Sequence, residues 1–112
     1  MIVTKDNTAI EMGSGDLEVF ATPAMVALME NAAMKQAKTL CNEAQTTVGI
    51  YIEVNHNRAT PMGAEVGATA ELIEQQERKL VYKIVATDGK GEIGNAIHHR
   101  FIVDRAKFMS KL

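Results

Sequence analysis

The chain has 112 residues, 46% hydrophobic and 23% charged, with a formal net charge of −2. That is the make-up of one globular domain over residues 1–112, large enough for a core and too short for a second one. Its Lys and Arg are scattered, so nothing indicates a nucleic-acid surface. A lone Cys41 excludes an internal disulfide framework and any Cys-based metal knuckle.

The opening MIVTKDNTA lacks the apolar segment of a signal peptide, and no apolar run is long enough to span a membrane. The expectation is a cytoplasmic protein with no membrane partner. The first 18 residues are ambiguous; residues 2–4 or 8–12 offer a short strand. The stretch VFATPAMVALMENAA then opens a helix expected over residues 22 to about 41, with Thr22 as N-cap and Pro23 at the first helical position. At 100° per residue Thr22, Val26, Met29, Glu30, Ala33, Ala37 and Leu40 share one face. Met25, Leu28 and Ala32 make the opposite side of the first three turns apolar too, which predicts that the first half of the helix is enclosed.

Strand signals follow. Residues 48–60 alternate, with Val48, Ile50, Ile52, Val54 and His56 on one face. Residues 60–63, TPMG, form a turn with Pro61 at its second position. Residues 64–74 alternate through Val66, Ala68, Ala70 and Leu72, and a polar link leads to residues 80–87. DGKG turns into residues 92–104, an alternating strand with Ile93, Ile97, Phe101 and Val103. One buried helix followed by four long antiparallel strands predicts an α+β chain of hotdog fold, a long antiparallel sheet wrapped around one central helix. The open sheet edges favour pairing with a second copy.

Three residues stand out for chemistry. A carboxylate in an apolar helix either faces an opening or a pairing Lys, or is an acid–base group held there for a reaction. That residue is Glu30. Thr22 caps the helix, and capping leaves its hydroxyl beside the amides of a helix N-terminus, which suit a developing oxyanion. His56 extends an aliphatic stripe to a strand end, where it is either structural or catalytic. Thr22 and Glu30 lie about 12 Å apart along the helix axis and roughly 80° apart around it, so a direct bond between them is not expected. They are better placed to flank a substrate carbonyl. With one Cys and no His-x-x-x-His spacing, no metal site is expected.

The segments VFATPAMVALMENAA, VGIYIEVNHNRATPMG and AELIEQQERKLVYKIVATDGKGEIGNAIHHRFIVDRAKF, in this order, resemble the hotdog-fold thioesterase superfamily, specifically its fluoroacetyl-CoA thioesterase-like branch. The resemblance implies a catalytic set of Thr22, Glu30 and His56 in a homodimer that takes an acyl-CoA at the subunit interface, with no cofactor beyond the CoA of the substrate. In such a reaction amides near Ala24 and Met25 polarise the thioester carbonyl, and Gly63 lets the pantetheine approach the backbone. Arg78, Lys79, Arg100 and Arg105 are candidates for its phosphates. The resemblance fails ahead of the helix. The fluoroacetyl-specific enzyme carries a Phe- and Pro-rich lid there, and this chain has NTAIEMGSGDLEVFA. A general short- or medium-chain acyl-CoA thioesterase is therefore expected. The alternatives are a non-catalytic acyl-CoA-binding or sensing protein and a hydratase, although no hydratase-type Asp–His motif is found.

Overall fold

The computed structural model describes all residues, 1–112. Near the N-terminus lie a 3-10 turn at Lys5–Asn7 and a one-turn helix α1, Ala9–Met12. The central helix α2 spans Thr22–Ala37 and tightens into a 3-10 turn at Lys38–Leu40. Four strands follow, β1 Gln45–His56, β2 Gly67–Gln76, β3 Lys79–Asp88 and β4 Gly91–Asp104, before a short helix α3, Arg105–Ser110. The strands form one antiparallel sheet in the order β1-β4-β3-β2. This is the expected hotdog arrangement of sheet and helix. The first residues form no regular strand, and Ile2 makes only an isolated bridge to Glu65. Helix α3 has no counterpart among the expected elements.

Helix α2 seats a single stripe on the sheet. Met25, Met29, Ala33 and Ala37 recur every fourth residue and are fully buried, with Ala24 beside them. They meet Leu80, Tyr82, Ile84 and Ala86 of β3 and Ala96 and Ile102 of β4. Complete burial of each Met contributes about 1.5–3 kcal/mol, and the alanines let the helix settle close to the strands. The expected enclosure of the whole first half does not occur. Val26, Leu28 and Ala32 are half-buried and Ala27 is exposed, because the sheet of one chain covers one side of the helix only.

Register shifts interrupt three strands, the one in β2 falling between Leu72 and Glu74. In β1 the register with β4 shifts between Gly49 and Tyr51. Thr47 and Gly49 face the helix before the shift, and Ile52, Val54 and His56 lie on the helix side after it, while Ile50 is 53% exposed. A third shift, between Ala86 and Thr87 on β3, leaves Ile93 of β4 buried. From there the inward positions are Ala96, His98, Arg100 and Ile102, so the anticipated stripe of Ile97, Phe101 and Val103 lies on the other face.

The turn near residues 60–63 also begins one residue later than expected. The Ala64 amide donates to the Pro61 carbonyl, and Gly63, at φ +87°, takes the position that demands a residue free to adopt positive φ. Gly94 has a different constraint. A Cβ there would come within 2.6 Å of the Asn55 carbonyl oxygen and 2.7 Å of Met25 Cε. Gly94→Val is therefore expected to lower stability by about 1–3 kcal/mol through overpacking. Urea unfolding checks this, and an unchanged midpoint would show that both the Asn55 main chain and Met25 yield at little cost.

Candidate active site

Helix α2 begins one residue earlier than expected. Ala21 is the N-cap, with extended backbone, and Thr22 is already helical. The Thr22 hydroxyl therefore makes no cap bond. It lies 2.8 Å from Nδ1 of His56, the last residue of β1. The Met25 amide donates to the Ala21 carbonyl at 3.0 Å, which removes Met25 from the expected pair of carbonyl-polarising amides. The amides of Thr22 and Ala24 have no protein acceptor, and Pro23 has no N–H. Both amides lie at the positive end of a 16-residue helix, but only Thr22 lines the cleft at the Thr22–His56 pair; Ala24 lines a separate cleft of about 520 Å³ with Leu28 and Asn31. The cleft at the pair measures about 260 Å³ and is lined by Ser14, Val19, Thr22, His56, Asn57 and Arg58 among others. Gly63 is not part of that lining, and its turn accounts for its presence.

Burial lowers the proton affinity of His56 below its ordinary value, so the ring is neutral near pH 7. Its Nε2 is buried without a partner at full hydrogen-bond geometry. The main chain of Arg58 acts the other way and favours a proton on the ring, more weakly than burial opposes it. Nδ1 accepts from the Thr22 hydroxyl or donates to it according to the tautomer of the ring.

Glu30 stands apart from this pair, two turns further along the helix. Its side chain is 40% exposed, and its Oε2 lies 3.6 Å from Arg100 Nη1 and 3.7 Å from His98 Nε2. The expectation of an apolar setting is corrected here, since a guanidinium and an imidazole face the carboxylate. Gly49 makes room for it: a Cβ at that position would come within 2.7 Å of Glu30 Oε2.

Arg100 is corrected too. It is 6% exposed, so it is not a contact for phosphates in solvent. Its Nε donates to Thr47 Oγ1 at 2.8 Å, its Nη2 to the Thr47 carbonyl at 3.0 Å, and its Nη1 to His98 Nε2 at 3.1 Å. His98 in turn donates Nδ1–H to the Tyr51 carbonyl, which fixes its tautomer. Sequence reasoning missed this partnership because the alternation of β4 was read in the wrong phase. The signal available was the pair of polar residues, His98 and Arg100, two apart on a strand whose helix carries an acid. No group of three or more His, Cys, Asp or Glu side chains converges to hold a metal ion.

His98 is also held neutral, mainly by burial, with the Arg100 charge acting in the same direction. Both histidines have folded-state values below the ordinary 6.5. The unfolded chain therefore takes up protons first, so stability is intact above about pH 6.5 and falls as the pH drops toward the folded values. Urea midpoints at pH 7.5 and 5.5 are expected to show a loss that His98→Gln reduces. An equal loss in the variant would exclude His98 as a contributor.

The sequence profile of the family described as fluoroacetyl-CoA-specific thioesterase matches residues 3–106. A fluoroacetyl-CoA thioesterase from Streptantibioticus cattleyicolor is 39% identical over 95 residues, which are 85% of this chain and 68% of that protein. The solved structure of the fluoroacetyl-CoA thioesterase FlK superposes with a TM-score of 0.91 at 33% identity, over 99% of this chain and 87% of that one. A variant of FlK has been solved in complex with fluoroacetate and CoA, and it superposes with a TM-score of 0.92 at 33% identity, over 99% and 91% of the two chains. A thioesterase superfamily member from Thermus thermophilus gives 0.90 at 25% identity, over 98% and 82% of the two chains. From a match that runs almost end to end, the chain belongs to the fluoroacetyl-CoA-specific thioesterase family, within the hotdog-fold thioesterases.

Proposed function

We propose that this thioester hydrolase cleaves a short- or medium-chain acyl-CoA to the free acid and CoA. The observation that carries this reading is the 2.8 Å Thr22–His56 hydrogen bond at a helix start whose Thr22 and Ala24 amides have no protein acceptor. A thioester carbonyl aimed at the Thr22 amide meets the positive end of the α2 dipole, which stabilises the oxyanion formed on attack. Glu30 is the general base on the attacking water, or attacks directly to give an anhydride that water then opens. Its partly exposed carboxylate, held on one side by Arg100 and His98, is suited to either route. Thr22 hydrogen-bonds the substrate, His56 orients Thr22, and the proton that Glu30 takes from water passes to the departing thiolate. One water is consumed, and one carboxylic acid and one thiol are released.

A second route is favoured by the same hydrogen bond. With His56 accepting its proton, Thr22 can attack the carbonyl and expel the CoA thiolate, which takes that proton from His56, and water then hydrolyses the acyl-threonine. The modest cleft and the absence of an aromatic lid favour a general acyl group over fluoroacetyl specificity. Phe20, the aromatic residue of the stretch before α2, is 1% exposed and belongs to the core, so it is not available to close over the cleft.

In this reading the enzyme is a cytoplasmic homodimer and needs no cofactor beyond the CoA of its substrate. Support for a dimer comes from β1, one of the sheet's two edge strands, which carries Ile50 and Tyr51 at 53% and 47% exposure. No helix is long and apolar enough to cross a membrane.

Release of free thiol from fluoroacetyl-, acetyl-, short-chain, medium-chain and aryl-CoA esters tests the proposal. Glu30→Gln is expected to lower kcat by about 100-fold or more with the melting temperature held. No turnover on any ester, with CoA esters still raising the melting temperature, would make the protein an acyl-CoA-binding or sensing protein instead. Thr22→Val separates the two routes: more than a tenth of the wild-type rate retained excludes the acyl-threonine.

A further inference from the structure

The Thr22 hydroxyl and the His56 ring come from different elements, and their 2.8 Å contact needs both backbones held. The segments that hold them meet at one carboxylate, Asp88, where β3 turns into β4. Its side chain is 4% exposed. Arg58 reaches it with both terminal nitrogens, Nη1 to Oδ2 at 3.1 Å and Nη2 to Oδ1 at 2.7 Å. Thr60 Oγ1 donates to Oδ2 at 3.1 Å, and the Lys90 amide donates to Oδ1 at 2.7 Å. Every donor sits where sequence distance to the site is short or the hairpin itself is pinned.

Arg58 follows His56 by two residues. Its amide and that of Asn57 both donate to the Ile93 carbonyl, and its Nη2 also reaches the Gly91 carbonyl. The exit of β1 is thereby fastened to the β3–β4 hairpin from both main chain and side chain. Thr60, fully buried, accepts at its carbonyl from the Phe20 amide at 2.8 Å, two residues before Thr22. An isolated bridge between Val19 and Pro61 runs alongside. The entrance of α2 is thus fastened through Thr60 to the same carboxylate.

We propose that Asp88 is the positioning residue of the Thr22–His56 pair, acting through Arg58 on the histidine and through Thr60 on the threonine. The bidentate geometry matters because a single contact leaves the guanidinium free to swing, whereas two parallel bonds fix the plane and hence the Arg58 main chain. That main chain also favours a proton on the His56 ring. A loosened Arg58 would free the end of β1, and the ring would exchange tautomers and leave its 2.8 Å contact with Thr22. The guanidinium and the amide and hydroxyl donors also hold the Asp88 carboxyl down to about 2, so the clamp stays ionised across the working pH range.

The proposal rests on the thioesterase reading only for its kinetic arm. Asp88→Asn and Arg58→Ala are compared with wild type by steady-state kinetics and by nitrogen NMR of the His56 ring. Both variants are expected to lose about 10- to 100-fold in kcat with KM unchanged, and the His56 ring to shift from one tautomer to an exchanging mixture. Arg58→Lys, which keeps the charge without the fork, is expected to recover only part of the rate. A folded Arg58→Ala with wild-type kcat and an unchanged His56 spectrum overturns the proposal, as does a rate loss that only tracks the unfolded fraction. If wild type hydrolyses no thioester, the functional reading fails, and the His56 spectra alone decide whether Asp88 positions the pair.

Discussion

The rotation of α2 about its own axis is the constraint on which the rest depends. Met25, Met29, Ala33 and Ala37 are the residues the sheet accepts, and their fourfold spacing leaves one orientation in which all are buried. Thr22 lies near the middle of that stripe at the open end of the helix, and Glu30 lies roughly 80° round from it. The first direction leads to the end of β1 and His56, the second to the middle of β1, where Gly49 leaves space. Packing of apolar residues thus aims both polar ones, and neither aim needs Thr22 or Glu30 to contribute to stability. A stripe displaced by one residue would turn the helix by about 100° and carry both groups off their partners.

Much of this was legible in the sequence, and what was missed has identifiable causes. The helix and four strands follow from a change of apolar period, and the strands lie within a few residues of their expected bounds. Thr22 and His56 were identified separately and meet directly. The phase of β4 was misread because Ile97, Phe101 and Val103 look like a core stripe, whereas the buried set includes His98 and Arg100. Alternation alone favours the apolar residues. Only the need of Glu30 for a counter-charge reverses the choice, and bulges at β1 and β4 make the phase unreadable locally. The Asp88 clamp was invisible for another reason. Its partners Arg58 and Thr60 are 30 and 28 residues away, and no periodic signal links a turn Asp to either.

The polar cluster in the sheet comes at a cost to stability. Arg100 and His98 occupy inward positions where aliphatic residues pack better, and replacing buried charged groups by apolar ones of equal volume is often stabilising. The Tyr82 hydroxyl is buried without a hydrogen-bond partner, at a cost of about 1–3 kcal/mol. Its proton is held more tightly than usual because of burial, and the Arg100 charge partly offsets that effect. A core assembled for stability alone has no need of these groups. Their concentration on the side of the sheet that meets Glu30 fits a region shaped by chemistry, with stability supplied elsewhere by the α2 stripe and β3.

Both halves of the site lean on the same strand. His56 ends β1 and Gly49 lies within it opposite Glu30, so the Thr22–His56 pair and the carboxylate are spaced along one edge of the sheet. That edge has β4 on one side and nothing on the other. An isolated edge strand carrying a bulge and the His56 ring is poorly braced, because each of its unpaired amides and carbonyls exchanges with water instead of a neighbour. Within the chain the Arg58–Asp88 clamp braces one end of β1, and the Arg100 bonds to Thr47 brace the other. The middle, with Ile50 and Tyr51 exposed, has no such support. A second copy pairing along β1, as proposed above, would supply it at the point where Glu30 meets the strand. Assembly and the placement of the carboxylate would then be governed by the same backbone hydrogen bonds.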